Sequence, residues 1–254
     1  MKPSVSIFRP GPPGYEILRL EGGTGAIPVH VHASWCVVAV ASGERTVTAG
    51  DARLVLGPGD AAVIPPGLAH GCSPSCGCVF FALSIPDSLM PAGTRPRERL
   101  VPLSDQCGTF TPDRLEELLA ARDRATALAL PASLARMLAA HAAVESARET
   151  VPPVRKAMAV LDGPDSTDIR MDGLSRLAGA SRFHLSRAFK KATGLPPGEY
   201  RTLSQLRRAR ALLAAGSPLA DVAAECGFFD QSHLSHRFKK YMGMTPGLYA
   251  RACR

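Results

Sequence analysis

Ten residues in the second half of the chain recur at one offset. His184-Leu185-Ser186 returns as His233-Leu234-Ser235, Phe189-Lys190-Lys191 as Phe238-Lys239-Lys240, and Gly194, Pro197, Gly198 and Tyr200 as Gly243, Pro246, Gly247 and Tyr249, every pair 49 residues apart. Identity at one fixed spacing means one small unit built twice. Each copy reads as two helices joined by a tight turn. In the first, Leu174 to Ala178 makes a short helix, Gly179 supplies the turn and Ser181 caps the helix that follows. In the second, Ser217-Pro218 gives a cap and a proline at the first helical position. Val222 to Cys226 follows, Gly227 stops that helix and Asp230 caps the next. Pro197 to Ala214 reads as one long connecting helix.

The later helix of each pair is amphipathic. Leu185, Ala188 and Phe189 face inward, as do Leu234 and Phe238. Arg182, Phe183, Ser186, Arg187 and Lys190 face out, and so do Gln231, Ser232, Ser235, His236 and Lys239. Such a face fits the major groove of double-stranded DNA: its donors and small hydroxyls match base edges, and its cations meet phosphate. The connecting helix would hold the two faces about one DNA turn, roughly 34 Å, apart. Charge agrees with this. Residues 151–254 hold 17 Lys+Arg against 8 Asp+Glu, whereas residues 1–150 hold 13 against 14. An anionic partner that meets only the back half is expected, nucleic acid ahead of a membrane surface; the plain alternative is a solvated basic face. Arg187 and His236 are the best-placed base readers. Phe183 either touches a base methyl or packs against its own helix pair, and His184 and His233 flank the core side.

These residues resemble the AraC-type transcription regulators, whose DNA-binding domain is a pair of helix-turn-helix units. The match covers about residues 153–252. It takes in Leu206, Ala209, Leu212 and Leu213 of the connector, then Gly227-Phe228, Asp230, Ser232, Phe238, Lys239, Gly243, Thr245-Pro246 and Tyr249. The resemblance implies a sequence-specific regulator. Three positions depart from the family's pattern. Gln205 stands where Arg is usual, Pro196 replaces the usual Ser, and His236 sits where the second recognition helix usually has Arg. No base preference therefore transfers to the second unit.

Residues 1 to about 95 read as β structure. Short apolar runs are cut by Gly22-Gly23, Ser42-Gly43, Ala49-Gly50-Asp51, Gly57-Pro58-Gly59-Asp60 and Pro65-Pro66-Gly67, the pattern of an antiparallel sandwich or barrel. Two stretches resemble the paired motifs of the cupin barrel: Gly25, His30-x-His32, Cys36 and Gly43, then Gly59-Asp60, Pro65-x-Gly67 and His70. The resemblance implies an effector-binding domain. Metal-binding cupins supply three His and one Glu, and here Cys36 holds the Glu position. The residues themselves fit a site. His30 and His32 are two apart, so on a strand they share a face, as do His70 and Cys72. Imidazoles with a thiolate suit Zn²⁺, Ni²⁺, Co²⁺ or copper better than Mg²⁺ or Ca²⁺. The metal set is then His30, His32, Cys36 and His70; the alternative is an organic effector hydrogen-bonded by neutral histidines. Cys72, Cys76 and Cys78 match no usual zinc spacing, and the odd total of seven cysteines argues for reduced thiols rather than a disulfide framework. A cupin enzyme is a third reading, opposed by the fused DNA-binding half and the missing Glu.

The expected architecture is α+β. An amino-terminal cupin-like β-barrel covers 1–95, a helical linker and candidate dimerisation region covers 96–150, and an all-α domain with two helix-turn-helix units covers 151–254. Leu115, Leu118, Leu119, Leu134, Met137 and Leu138 have helical spacing that serves core packing or a homodimer seam, and Pro131 is expected to open the second helix. The prolines and glycines of Met1 to Tyr15 suit a mobile arm better than a strand. No apolar run nears the length of about 18 residues that spans a bilayer. The first residues lack a signal-peptide core. A cytoplasmic protein is expected, with RNA polymerase as its further partner.

Overall fold

A computed structural model describes residues 4–22, 26–74, 77–94, 99–103, 108–140, 151–163 and 169–254. Its strands are β1 (Ser4–Phe8), β2 (Glu16–Glu21), β3 (Ile27–His30), β4 (Ser34–Ser42), β5 (Arg45–Ala49), β6 (Ala52–Leu56), β7 (Ala61–Ile64), β8 (His70–Pro74), β9 (Val79–Pro86) and β10 (Val101–Leu103). They form two antiparallel sheets, one in the order β1-β2-β9-β4-β7-β10 and one in the order β3-β8-β5-β6. The front half is thus the β-rich domain expected, built as two sheets, and no ladder joins them among the described residues. The amino-terminal segment departs from expectation. Ser4 to Phe8 is a strand paired in register with Glu21 to Ile17, because Ile7 and Phe8 each bury on one face of the sheet. Gly25 and Cys76 lie outside the described residues.

The six-stranded sheet is buried on both sides, which explains the unbroken apolar run of β4. Cys36, Val38 and Val40 face the sandwich interior, while Trp35, Val37 and Ala39 face the other way, the period of two that a pleated strand imposes. That outer face is covered by α1 (Pro112–Ala121) and α2 (Arg124–Ala140), through Leu115, Leu118, Leu130, Leu134 and Leu138. The helical stripe read from Leu115 to Leu138 is therefore core packing; residues 141–150 of the expected dimerisation region lie outside the described residues. Nor is the segment after residue 95 only a linker, since Val101–Leu103 adds an edge strand beside β7.

Pro131 lies inside α2 rather than at its start. A proline has no N–H, so the carbonyl four residues earlier loses its helical partner. That carbonyl belongs to Ala127, and the buried Tyr15 hydroxyl donates to it. A side chain from the start of the chain thus satisfies the gap that the proline opens.

The back half comprises α3 (Pro152–Asp162), α4 (Met171–Ala178), α5 (Arg182–Thr193), α6 (Pro197–Ala214), α7 (Leu219–Glu225), α8 (Gln231–Met242) and α9 (Pro246–Ala252). The 49-residue repeat is a repeat of contacts. Phe189 meets Tyr200 edge-on at 5.3 Å, and Phe238 meets Tyr249 at 5.6 Å. Gly194 and Gly243 end α5 and α8 in the left-handed region, at φ 74° and 71°, their N–H groups donating to the carbonyls of Lys190 and Lys239. Ser181 and Asp230 cap the same helices by accepting from the N–H of His184 and His233. α7 begins one residue later than read, with Pro218 rather than Ser217 at its cap, within the ordinary spread of helix boundaries. No described helix is long and apolar enough to cross a membrane.

Candidate nucleic-acid interface and effector cavity

In α5, Leu185 and Phe189 are buried, whereas Arg182, Phe183, Arg187 and Lys190 are exposed and Ser186 is half-buried. In α8, Leu234 and Phe238 are buried, Gln231, Ser232, His236 and Lys239 are exposed and Ser235 is half-buried. Eight of the ten residues assigned to the outward face are exposed, and Ser186 and Ser235 lie at its edge, half-buried like Ala188. Phe183 is 71% exposed and does not pack against its own helix pair; its ring lies 5.2 Å from the Arg187 guanidinium. Arg182 ion-pairs with Asp172 of α4 at 3.1 Å. His184 and His233 are exposed, not core-side. The His233 ring stands against Phe228 at 5.5 Å, and its Nδ1 accepts from the N–H of Phe229 at 3.3 Å. Sequence reasoning missed Phe229. It is 92% exposed just before α8, and the signal was the Phe228-Phe229 pair, of which only Phe228 turns inward.

A cavity of about 90 Å³ lies in the front half, with Cys36, Arg45, Cys72 and three histidines in its wall. β3 and β8 pair with His30 opposite His70, and His32 follows two residues on. The three rings stand 4.2 to 4.8 Å apart between centroids, and their candidate ligand atoms lie within 4.8 Å of one another. The Nδ1 of His30 bonds the Pro28 carbonyl at 2.8 Å and the Nδ1 of His70 bonds the Leu68 carbonyl at 2.9 Å. A carbonyl only accepts, so each Nδ1 carries the proton and each Nε2 is a free lone pair. Burial lowers His30 to about 4 and His70 to about 3. His32 keeps some exposed surface, but desolvation followed by the two neighbouring rings holds it well below the usual imidazole range. Neutral imidazoles with fixed tautomers are what a transition metal takes up. Cys36 lines the same cavity but stands outside the converging group, and burial pushes its thiol up to about 12.

The cavity is not closed by the front half alone. Arg210 of α6, Tyr241 and Met242 at the end of α8, and Met244 complete its wall. Beside it lies a cleft of about 290 Å³ that shares Glu16, His32, Ser84 and Arg210 with the cavity. Glu16 of β2 is buried and ties the two halves together. It ion-pairs with Arg210, accepts from the Tyr249 hydroxyl of α9, and has Arg9 at 3.9 Å. Burial raises a carboxyl's pKa, but Arg210, the Tyr249 hydrogen bond and Arg9 outweigh it and hold Glu16 below the usual value. Arg9 also donates to the Ala214 carbonyl at the end of α6, at 3.1 Å. The duplicated tyrosines have diverged in this respect: the Tyr200 hydroxyl donates to Asp162 within the back half at 2.9 Å, whereas that of Tyr249 reaches across to Glu16.

Comparison with known proteins finds a separate match in each half of the chain. A family model for a helix-turn-helix domain matches residues 174–252, and one for a cupin domain matches residues 16–74. The HTH-type transcriptional regulator YbfI of Bacillus subtilis is 25% identical over 234 residues, covering 85% of this chain and 84% of its own length. The crystal structure of ToxT from Vibrio cholerae superposes with a TM-score of 0.62 at 11% identity, over 99% of this chain and 97% of that one. A second ToxT structure, bound to an unsaturated fatty acid, gives 0.61 at 11% identity over 98% of this chain and 94% of that one. Both share the order of a sheet domain followed by a helical one.

Proposed function

We propose that the chain is an AraC-type transcription regulator with a cupin domain ahead of its DNA-binding domain, a reading supported by the matches to a helix-turn-helix model, a cupin model and an HTH-type regulator, and that the occupant of the front-half cavity sets how the back half holds DNA. One observation carries the coupling: the wall of the cavity includes Tyr241 and Met242, the last residues of the second recognition helix. An occupant that changes the wall changes the seat of α8. It shifts the regulator to the extent that it binds one arrangement better than another.

The occupant is a transition metal, Zn²⁺, Ni²⁺, Co²⁺ or copper, held by the Nε2 atoms of His30, His32 and His70 with positions left open for a small co-ligand. The carbonyl bonds that fix the His30 and His70 tautomers support this reading. The metal serves as signal rather than as catalyst. On DNA, α5 and α8 lie in successive major grooves, Arg187 and His236 read base edges, and Lys190 and Lys239 hold phosphate. The protein works in the cytoplasm as a homodimer and meets RNA polymerase at the promoter. Sedimentation tests the dimer: a monomer at micromolar concentration removes it.

The metal is tested on the full chain purified without added metal. Elemental analysis and Co²⁺ absorption should show about one ion per chain, lost in His70→Ala and kept in Cys36→Ser. Stoichiometric binding that survives His70→Ala, or no uptake of any of the four metals, overturns the assignment.

A further inference from the structure

Arg45, on β5, sends its side chain into the sandwich and is only 3% exposed. Among the described residues no carboxylate stands within ion-pairing distance of it, and its Nε is buried with no hydrogen-bond partner. Its neighbours are poor substitutes for an anion: the guanidinium carbon lies 3.8 Å over the Phe80 ring, and the Cys72 thiol is a weak acceptor. The other charged pair in the cavity wall, Glu16 and Arg210, neutralises itself. Arg45 is thus a buried cation with no counter-charge among the described residues, and burying a charge without compensation is costly. It shares the cavity wall with the three histidines. About 90 Å³ holds several water molecules' worth of ligand, not a long chain.

We propose that Arg45 is the anchor for a small organic acid in this cavity, its guanidinium gripping the carboxylate while the ligand's other polar end faces His30, His32 and His70. Guanidinium and carboxylate match in a planar two-bond fork, which a lysine or a neutral donor cannot reproduce. The volume limits the ligand to acids of about two to four carbons, such as hydroxy acids, keto acids and short diacids. The inference rests on the reading of this cavity as the effector site, and extends it by naming the chemistry of the small co-ligand that the cavity takes beside the histidines and the residue that recognises it.

The test uses the full chain treated with chelator, so that it is independent of metal. Thermal shift and calorimetry are run with lactate, pyruvate, oxalate, malonate and succinate, each against its uncharged amide. At least one acid should raise the melting temperature by several degrees while its amide does not. Arg45→Met should weaken that acid at least tenfold, and Arg45→Lys should weaken it less. Without any ligand, Arg45→Met should melt at or above the wild-type temperature, because it removes an uncompensated buried charge. A ligand-free Arg45→Met that melts well below wild type would make Arg45 a structural residue and overturn the proposal. So would the absence of any acid response, or acids that bind Arg45→Met as tightly as wild type. Acids that bind through Arg45 but leave DNA affinity unchanged would uphold the anchor and overturn the control of DNA binding.

Discussion

Arg187 and Lys190 lie on one exposed face of α5, and the proposed function gives them different tasks. Arg187→Ala should weaken binding to the selected operator by about 1–3 kcal/mol and relax preference at one base position. Lys190→Ala should weaken operator and random DNA alike and flatten the salt dependence. Equal losses for both variants on both DNAs, in binding assays at fixed salt, would contradict the division of labour. Glu16 makes a different prediction. Its pKa is lowered in the folded protein, so the unfolded chain takes up the proton first as pH falls. Its contribution is whole above the ordinary carboxylate range and is lost as pH drops through the folded value. Glu16→Gln should cost about 3–5 kcal/mol at neutral pH, because Arg210 is left buried and unpaired. It should also remove part of the acid sensitivity seen in denaturation below about pH 4. The outward faces of α5 and α8 and the three histidines were legible in the sequence, since helical and strand periods fix which side chains share a face. Glu16 and Arg45 were not. What matters about Glu16 is a partner 194 residues away. What matters about Arg45 is burial without a counter-charge among the described residues, which no local pattern records.

Helix by helix, the duplication predicts where equal sequences have unequal contexts. Gly194 and Gly243 hold the same left-handed cap, yet a Cβ on Gly243 meets nothing within 4 Å, whereas one on Gly194 would collide with the Cβ of Ala69 ahead of β8. Gly243→Ala should cost about 1–2 kcal/mol from backbone strain alone. Gly194→Ala should cost more and loosen the seat of the front half; equal costs in chemical denaturation would contradict that contact. Tyr15→Phe should destabilise by about 1–3 kcal/mol, because it strips the Ala127 carbonyl of its donor above Pro131. A neutral effect would mean another group satisfies that carbonyl. The same pair shows why two expectations failed. Pro131 reads as a helix start because nothing nearby in the chain supplies the missing donor, and Met1 to Tyr15 reads as an arm because its prolines and glycines hide Ile7, Phe8 and Tyr15, which bury on the two faces of one sheet. Both are decided by contacts distant in sequence.

At the scale of the whole molecule, the apolar interior of the sandwich runs without a break into the core of the DNA-binding half. Glu16 bridges the same boundary to α6 and α9, and the end of α8 helps to wall the cavity. The proposed coupling runs through this single packed wall, from the cavity to α8. The most direct test is the affinity of the full chain for its selected operator at one fixed salt, first with chelator and then with Zn²⁺, Ni²⁺, Co²⁺ and Cu⁺ in turn, in wild type and in His70→Ala. The account predicts that at least one metal shifts wild-type affinity by about tenfold or more, equivalent to about 1.4 kcal/mol, and leaves His70→Ala where chelator put it. Wild type that takes up metal at the three histidines yet binds the operator with the same affinity in every condition would contradict it.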